Sequence, residues 1–362
     1  TRIRGQATFK PSTERDWPAF SVDLERSRID HDELQALIPR LPLAQTATIE
    51  GTLRGTHDRL HADRVTVTHN ASYLTVDGTL RDAAPGINID VALTESHLRP
   101  EDVRDIWPDV PVLPTPEAGP VSLNGTLRGT TDGRPQTHRT FDLNATLTAR
   151  SNHGTVRGSL QVARPRAGPL RYNTSFDTEN LNLAPFTGVP TLTSRLNGQV
   201  EARGSGTGAD TLQSTFSVSL NASELAGRPL ASADGQGTLN GSRARGSLIL
   251  RQDEGGLVSL KGSVTELDSR PRYTAVVTSS TLNLAPLSPG LPRTALNARL
   301  TLRAAGTAWR PLDGTAVVNV DRSTVYRADS TVTLPPHTVN VHLAERDADR
   351  PRLEVTGSVG SL

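Results

Sequence analysis

A residue pattern of period two, broken on its apolar side by glycine, runs along this chain and restricts the folds open to it. In "ATIEGTLRG", which begins at Ala47, the residues Ala47, Ile49, Gly51 and Leu53 fall on one face and Thr48, Glu50, Thr52 and Arg54 on the other. That is the alternation of a half-buried strand. "INIDVAL" puts Ile87, Ile89, Val91 and Leu93 together, "FDLNATLTA" does so for Phe141, Leu143, Ala145, Leu147 and Ala149, and "TVNVHLA" for Val339, Val341 and Leu343. Turn clusters such as "RDAAPG", "RPRAGP" and "LDSRP" separate the runs. An antiparallel sheet with one apolar and one wet face follows. Glycine recurs between two apolar residues on the apolar side, in "IEGTL", "VDGTL", "LNGTL", "VRGSL", "LNGQV", "LKGSV" and "VTGSV". Glycine inside a strand marks a bend or a close approach, and bending of the sheet is the favoured reading here, with clearance for a ligand second.

A second regularity divides the runs into modules. "LNLAPF" from Leu181 and "LNLAPL" from Leu282 lie 101 positions apart (282 minus 181). Two longer stretches, "LERSRIDHDELQALIPRLPLAQTATIEGTL" and "LTESHLRPEDVRDIWPDVPVLPTPEAGPVSLNGTL", have the same order of extended run, short apolar segment, proline turn and new run. Junctions are therefore placed at 27–45, 96–120, 178–194 and 279–294, with five to six strands between them by ordinary strand and turn lengths. Asp30 or Asp32 can cap a short helix over about residues 30–39, and Pro100 suits the first turn of another over about 100–107.

Only 35% of the residues are hydrophobic and 4% aromatic, and no sizeable amphipathic helix is available to cover the apolar face. About twenty strands at about 4.8 Å spacing would extend some 95 Å, which an open sheet sustains only by curling. The expected fold is all-β: a long curled antiparallel sheet forming an open apolar groove, in about four modules. Its lining is read from the alternation as Ile49, Gly51, Leu53, Val76, Gly78, Leu80, Ile87, Ile89, Val91, Leu123, Leu127, Phe141, Leu143, Leu147, Val156, Leu160, Leu196, Val200, Val218, Leu260, Val264, Leu300, Val318, Val339, Val341 and Val355. Thr48, Glu50, Asp90, Asn144 and Lys261 are expected to face water. A dry strip of this composition suits aliphatic chains.

The repeated "LNLAPF" and "LNLAPL" junctions, followed by glycine-bearing strands such as "LNGQV" and "IEGTL", resemble the AsmA-like superfamily, most of all its TamB branch. The resemblance covers nearly the whole chain. It implies a taco-shaped β groove in the periplasm of a Gram-negative bacterium, in a protein anchored in the inner membrane by segments outside this chain. It also implies phospholipid acyl chains as ligand, movement of lipid between inner and outer membrane, and an outer-membrane barrel partner of the TamA type with a part in outer-membrane protein assembly. Uneven module length and the high Arg, Thr and Asp content depart from that pattern.

Other chemistry is weakly represented. The chain has no Cys, hence no disulfide or thiolate site, and no Met, which fits a segment cut from a longer protein. No run of about 18 apolar residues is present. Lys occurs only at 10 and 261, and Arg alternates with Asp and Glu to a net charge of +1, a mixed solvated surface rather than a nucleic-acid stripe. His57, His61 and His69 lack zinc-site spacing, and "GSGTGAD" lacks the lysine of a phosphate loop. Asp253 and Glu254 read as a hairpin tip, and no catalytic residue, metal or cofactor is assigned. A β-solenoid rod would need a period of about 20–30 residues, and a membrane barrel would need aromatic girdles that three Trp, four Tyr and six Phe do not supply. A polysaccharide-degrading enzyme would need a defined carboxylate cluster.

Overall fold

The computed structural model describes residues 2–10, 19–29, 46–83, 86–106, 116–132, 140–206, 211–253, 255–287, 290–306, 313–327, 329–344 and 352–359. The helix expected over about 30–39 lies outside these residues. Strands make up 76% of the chain, and the two compact units, Thr1–Arg195 and Leu196–Leu362, are each built from open antiparallel sheet. The unit boundary falls directly after the third junction expected from the sequence, at 178–194.

The first unit contains β1 (Arg2–Lys10), β2 (Ala19–Ile29), β3 (Ala47–Thr56), β4 (Arg59–His69), β5 (Ser72–Ala83), β6 (Gly86–Leu98), β7 (Val121–Thr131), β8 (Phe141–Ser151), β9 (Gly154–Arg164) and β10 (Arg171–Leu181). Each pairs with its neighbours in chain order. The second unit contains nearly all of β11 (Ser194–Ser205), then β12 (Gln213–Leu225), β13 (Arg228–Asn240), β14 (Arg243–Arg251), β15 (Leu257–Thr265), β16 (Arg272–Leu282), β17 (Arg293–Ala305) and β18 (Asp313–Val320). From β12 to β18 the pairing is again sequential. β19 (Ser323–Tyr326) and β20 (Thr331–Leu334) form a hairpin against the start of β17, while β21 (His337–Ala344) pairs with β18 and with β22 (Arg352–Val359).

Among the described residues helix is confined to short pieces. α1 (Pro100–Ile106) starts on proline with Glu101 and Asp102 in its first turn, where acidic groups suit exposed N–H donors. α2 (Ala184–Thr187) is the "APFT" of the junction phrase and ends on Gly188 in the left-handed region, φ 68°. Both lie in junctions, between the strands they connect.

Among the described residues neither unit packs a conventional hydrophobic core. The buried apolar residues are small, Ala47, Val65, Ala118, Ala233, Ala304 and Val320, and the largest fully buried side chains are serines. Ser27, Ser96, Ser223 and Ser323 make one repeated device. Each hydroxyl accepts an N–H from the adjacent strand, from Arg4, Thr75, Asn197 and Asn297 respectively, all at 3.0 Å. Each also donates to the carbonyl two residues earlier in its own chain, that of Glu25, Thr94, Asn221 or Asp321. Before Ser96 and Ser223 stand left-handed residues, Glu95 (φ 48°) and Ala222 (φ 41°). The ladder is irregular at these points, and the serine supplies the hydrogen bonds that it interrupts.

At Gly51 a strand glycine permits a close approach of two backbones. Gly51 has φ 126°, and a Cβ on it would lie 2.5 Å from the Arg64 carbonyl oxygen and 2.7 Å from the Val65 Cα. Those atoms belong to a bulge in β4, where Arg64 has φ 44° and the register slips between Ala62 and Val65. Only glycine lets the two backbones come so close.

Candidate functional site: an uncovered apolar strip

Pairing in register stacks the alternating residues into rows that run across the strands. In the first unit Val22, Leu53, Ala62, Gly78, Val91, Leu127, Ala145 and Leu160 are successive partners from β2 to β9. Beside that row run Val76, Leu93, Gly125, Leu147, Gly158 and Phe176 on one side. On the other run Leu60, Leu80, Ile89, Gly129, Leu143, Val162 and Tyr172. Ile49 joins through Val67, while Leu123 and Val156 join through Ala149. Ile87 and Phe141 mark the rim: both pair with Thr131, and the Arg164 guanidinium lies 6.0 Å from the Phe141 ring centroid.

The second unit repeats the arrangement. Val218, Gly235, Leu248, Leu260, Val277, Leu300, Val318 and Val339 are successive partners across β12 to β18 and β21. Val264 sits between Ala244 and Tyr273, and Val341 pairs with Ala316 and, in backbone register, with Val355. Leu196 and Val200 lie half-buried on β11. Apart from β11, the register within each unit brings the expected lining residues into rows.

Among the described residues nothing seals the strip from solvent. Leu80, Leu127, Leu160 and Leu260 keep 37%, 36%, 38% and 36% of their surface exposed, and most other lining residues are half-buried. Over β12 to β17 the strip is concave, with a cavity of about 780 Å³ lined by Val218, Leu248, Leu260, Val264, Tyr273 and Leu302 among others. The opposite face carries the charges. Arg128 reaches Asp90 at 2.9 Å, Arg251 reaches Asp234 at 2.9 Å, and Thr52 donates to Asp23 at 2.7 Å. Glu50, Asp90, Asn144 and Lys261 are exposed there, and Thr48 is half-buried.

Several strip residues escape the reading by strict alternation. In β4 the apolar positions Leu60, Ala62, Val65 and Val67 change phase at the bulge, so period two fails across that strand. Phe20, Val22 and Leu24 of β2, and Ala244, Leu248 and Leu250 of β14, were not singled out either, although their alternation is a signal that finds them.

The junctions hold the polar chemistry. Asn182 Oδ1 accepts the N–H of Ala184 at 3.2 Å and of Ser194 at 3.0 Å; Asn283 Oδ1 accepts those of Ala285 at 3.1 Å and Thr294 at 3.3 Å. Ser194 and Thr294 complete the clamp by accepting from Leu183 and Leu284 and donating to the carbonyls of Leu181 and Leu282. The twice-written phrase is a twice-built clamp.

At the α1 junction, Asp102 is buried. It accepts the Ser72 hydroxyl at 2.6 Å and the Asn70 amide at 3.1 Å, while the Ser72 oxygen accepts the Arg99 N–H. Burial raises the Asp102 carboxyl, but the hydrogen bonds from Ser72 and Asn70 outweigh it and hold the group below its ordinary value of 3.8. A carboxyl lowered on folding stabilises the fold above its unfolded value, and this contribution fades as pH falls through the lowered folded value. Thermal melts taken from about pH 5 to about pH 2 are therefore expected to lose stability more steeply in the parent than in Asp102→Asn. Parallel pH curves for the two would show that the network contributes nothing of this kind.

Among the described residues no group of three or more His, Asp or Glu converges as for a metal, and no helix is long and apolar enough to cross a membrane. No family model, curated protein or solved structure matches the chain.

Proposed function

We propose that the apolar strip binds the acyl chains of phospholipids and that the protein serves as a periplasmic conduit for lipid between the inner and outer membranes. Membership of the TamB branch of the AsmA-like superfamily, with a TamA-type barrel partner and support of outer-membrane protein assembly, belongs to the same proposal. The observation that carries it is the unbroken row from Val22 to Leu160, eight strands wide, uncharged and open to solvent. At about 4.8 Å per strand it is roughly 34 Å long. A bilayer core about 30 Å thick holds two acyl chains end to end, so the row exceeds the length of one chain. A chain on it has several equivalent positions, as sliding requires.

Native mass spectrometry of the protein purified without detergent from a Gram-negative envelope should show phospholipid adducts, lost when Leu53 and Leu260 are both changed to Arg. A parent free of lipid, and unable to take up added phospholipid, would overturn the reading in favour of a structural rod.

A further inference from the structure

One row of the second unit differs from the others. Phe216, Gly237, Gly246, Gly262, Ala275 and Leu302 are successive partners on β12 to β17. A Cβ on Gly237 would overlap the Phe216 ring, so the ring lies across that glycine. Beyond it the floor is bare. A Cβ on Gly246 would lie 3.1 Å from the Gln236 carbonyl oxygen and 3.7 Å from the Gly237 Cα, and one on Gly262 would lie 3.0 Å from the Thr274 oxygen and 3.6 Å from the Ala275 Cβ. A Cβ here would be tight but would not meet the collisions seen at Gly51, and the missing side chains leave space.

The space has walls. Leu248 and Leu260 stand two residues along their strands on one side, and Val264 and Tyr273 on the other, so the wall residues lie about 7 Å to either side of the floor line. The floor runs across the strands, from the Phe216 ring over β13 to Leu302 on β17, a span of roughly 19 Å. The cavity of about 780 Å³ lies over it.

Its chemistry selects the occupant. β14, β15 and β16 each pair on both sides, so the ladder consumes the backbone groups of the floor, and no peptide strand can be added there. The walls stand about 14 Å apart from backbone to backbone, and the Leu, Val and Tyr side chains that form them narrow the slot, which suits a single chain better than a helix about 10–12 Å across. What remains is an occupant with no polar groups over this length and the width of a single chain.

We infer that this glycine-floored gutter is a discrete seat for one aliphatic chain segment, stopped at its ends by Phe216 and Leu302, where a chain pauses instead of sliding. The inference rests on the lipid-binding reading and locates its tightest point.

The test uses the full chain and cis-parinaric acid, a polyene fatty acid whose fluorescence rises in an apolar site. Ala275→Leu and Gly262→Leu fill the floor; Ala275 already has a Cβ, so its variant makes no new backbone demand. Each methylene excluded from the seat should weaken binding about fourfold, and two of them about fifteenfold. Lys261→Gln, on the opposite face, should bind as the parent does. A diazirine-bearing fatty acid should crosslink to peptides from β12 to β17 in the parent, and less in Ala275→Leu, with both proteins melting alike. If the parent binds the probe but Ala275→Leu binds equally well with an unchanged crosslink map, the seat is wrong and the open strip survives. If the parent binds no probe at all, the lipid reading falls with it.

Discussion

Leu53→Arg is expected to slow acyl-chain passage along the first unit by about fifty- to two-hundredfold while the protein melts close to the parent. Leu53 pairs with Val22 and Ala62 in the middle of the apolar row and is half-buried, not enclosed. An arginine there can lay its methylenes on the strip and extend its guanidinium into water, avoiding the severe cost of a charge sealed in a core. A lipid chain crossing that point must put methylenes against a hydrated group, at about 0.8 kcal/mol each. Three or four of them add about 2.4–3.2 kcal/mol to the barrier, which sets the range. Glu50→Lys, on the same strand but the exposed wet face, should be silent. Photo-crosslinking of lipid on both sides of the substituted strand measures the effect. Equal crosslinking beyond Leu53→Arg, Glu50→Lys and the parent position would remove the case for a conduit.

Asn283→Ala should cost about 2–4 kcal/mol of stability, the larger of two matched losses. Its side-chain oxygen holds the N–H groups of Ala285 and Thr294, and both Asn283 and Thr294 are buried, 6% and 7% exposed. Stripping the acceptor leaves two donors without a partner, at about 1–3 kcal/mol each, less whatever water recovers. Gln252 grips the same residue through its backbone, accepting its N–H at 2.9 Å and donating to its carbonyl at 2.8 Å, which limits relaxation. Asn182→Ala removes the equivalent clamp at a half-buried site and should cost less. Asn182→Asp keeps the accepting oxygen and should recover most of that loss. Urea unfolding with the midpoint read for each variant decides it; losses within about 0.5 kcal/mol for both alanine variants would make the clamp a mere coincidence of sequence.

Strand content was legible because period two is a local property. Phe141, Leu143, Ala145 and Leu147 alternate with polar neighbours whatever lies on either side, and β8 takes the expected form. β4 was not legible, since the left-handed Arg64 shifts the phase between Ala62 and Val65 and destroys the signal that marks its neighbours. Glycine has two uses that sequence cannot separate. A Cβ on Gly51 would collide with a neighbouring backbone and one on Gly246 would only crowd it, yet each stands between polar or apolar residues of ordinary kind. Register alone stacks Gly237, Gly246 and Gly262 into one floor. The junction phrase was visible as a repeat, but its chemistry was hidden, because Ser194 and Thr294 complete it from across a turn. Buried serines offer no sequence signal at all in a chain so rich in serine and threonine.

Each strand of the two ladders finds its hydrogen-bonding partners almost wholly among the strands just before and after it in the chain, apart from the branch around β19 and β20. Energetically this is close to a one-dimensional array, in which stability is a sum of strand and nearest-neighbour terms. Such a ladder tolerates the gain or loss of a hairpin, because the new strands replace one interface with similar ones and disturb no distant contact. Among the described residues four strands (β3–β6) lie between Ile29 and Leu98, four (β7–β10) between Leu98 and Leu181 and six (β11–β16) between Leu181 and Leu282, not five to six in each. The longest spacing is what insertion of one hairpin would leave behind. Length in this architecture is a nearly free evolutionary variable, because no closure of a core fixes the number of strands.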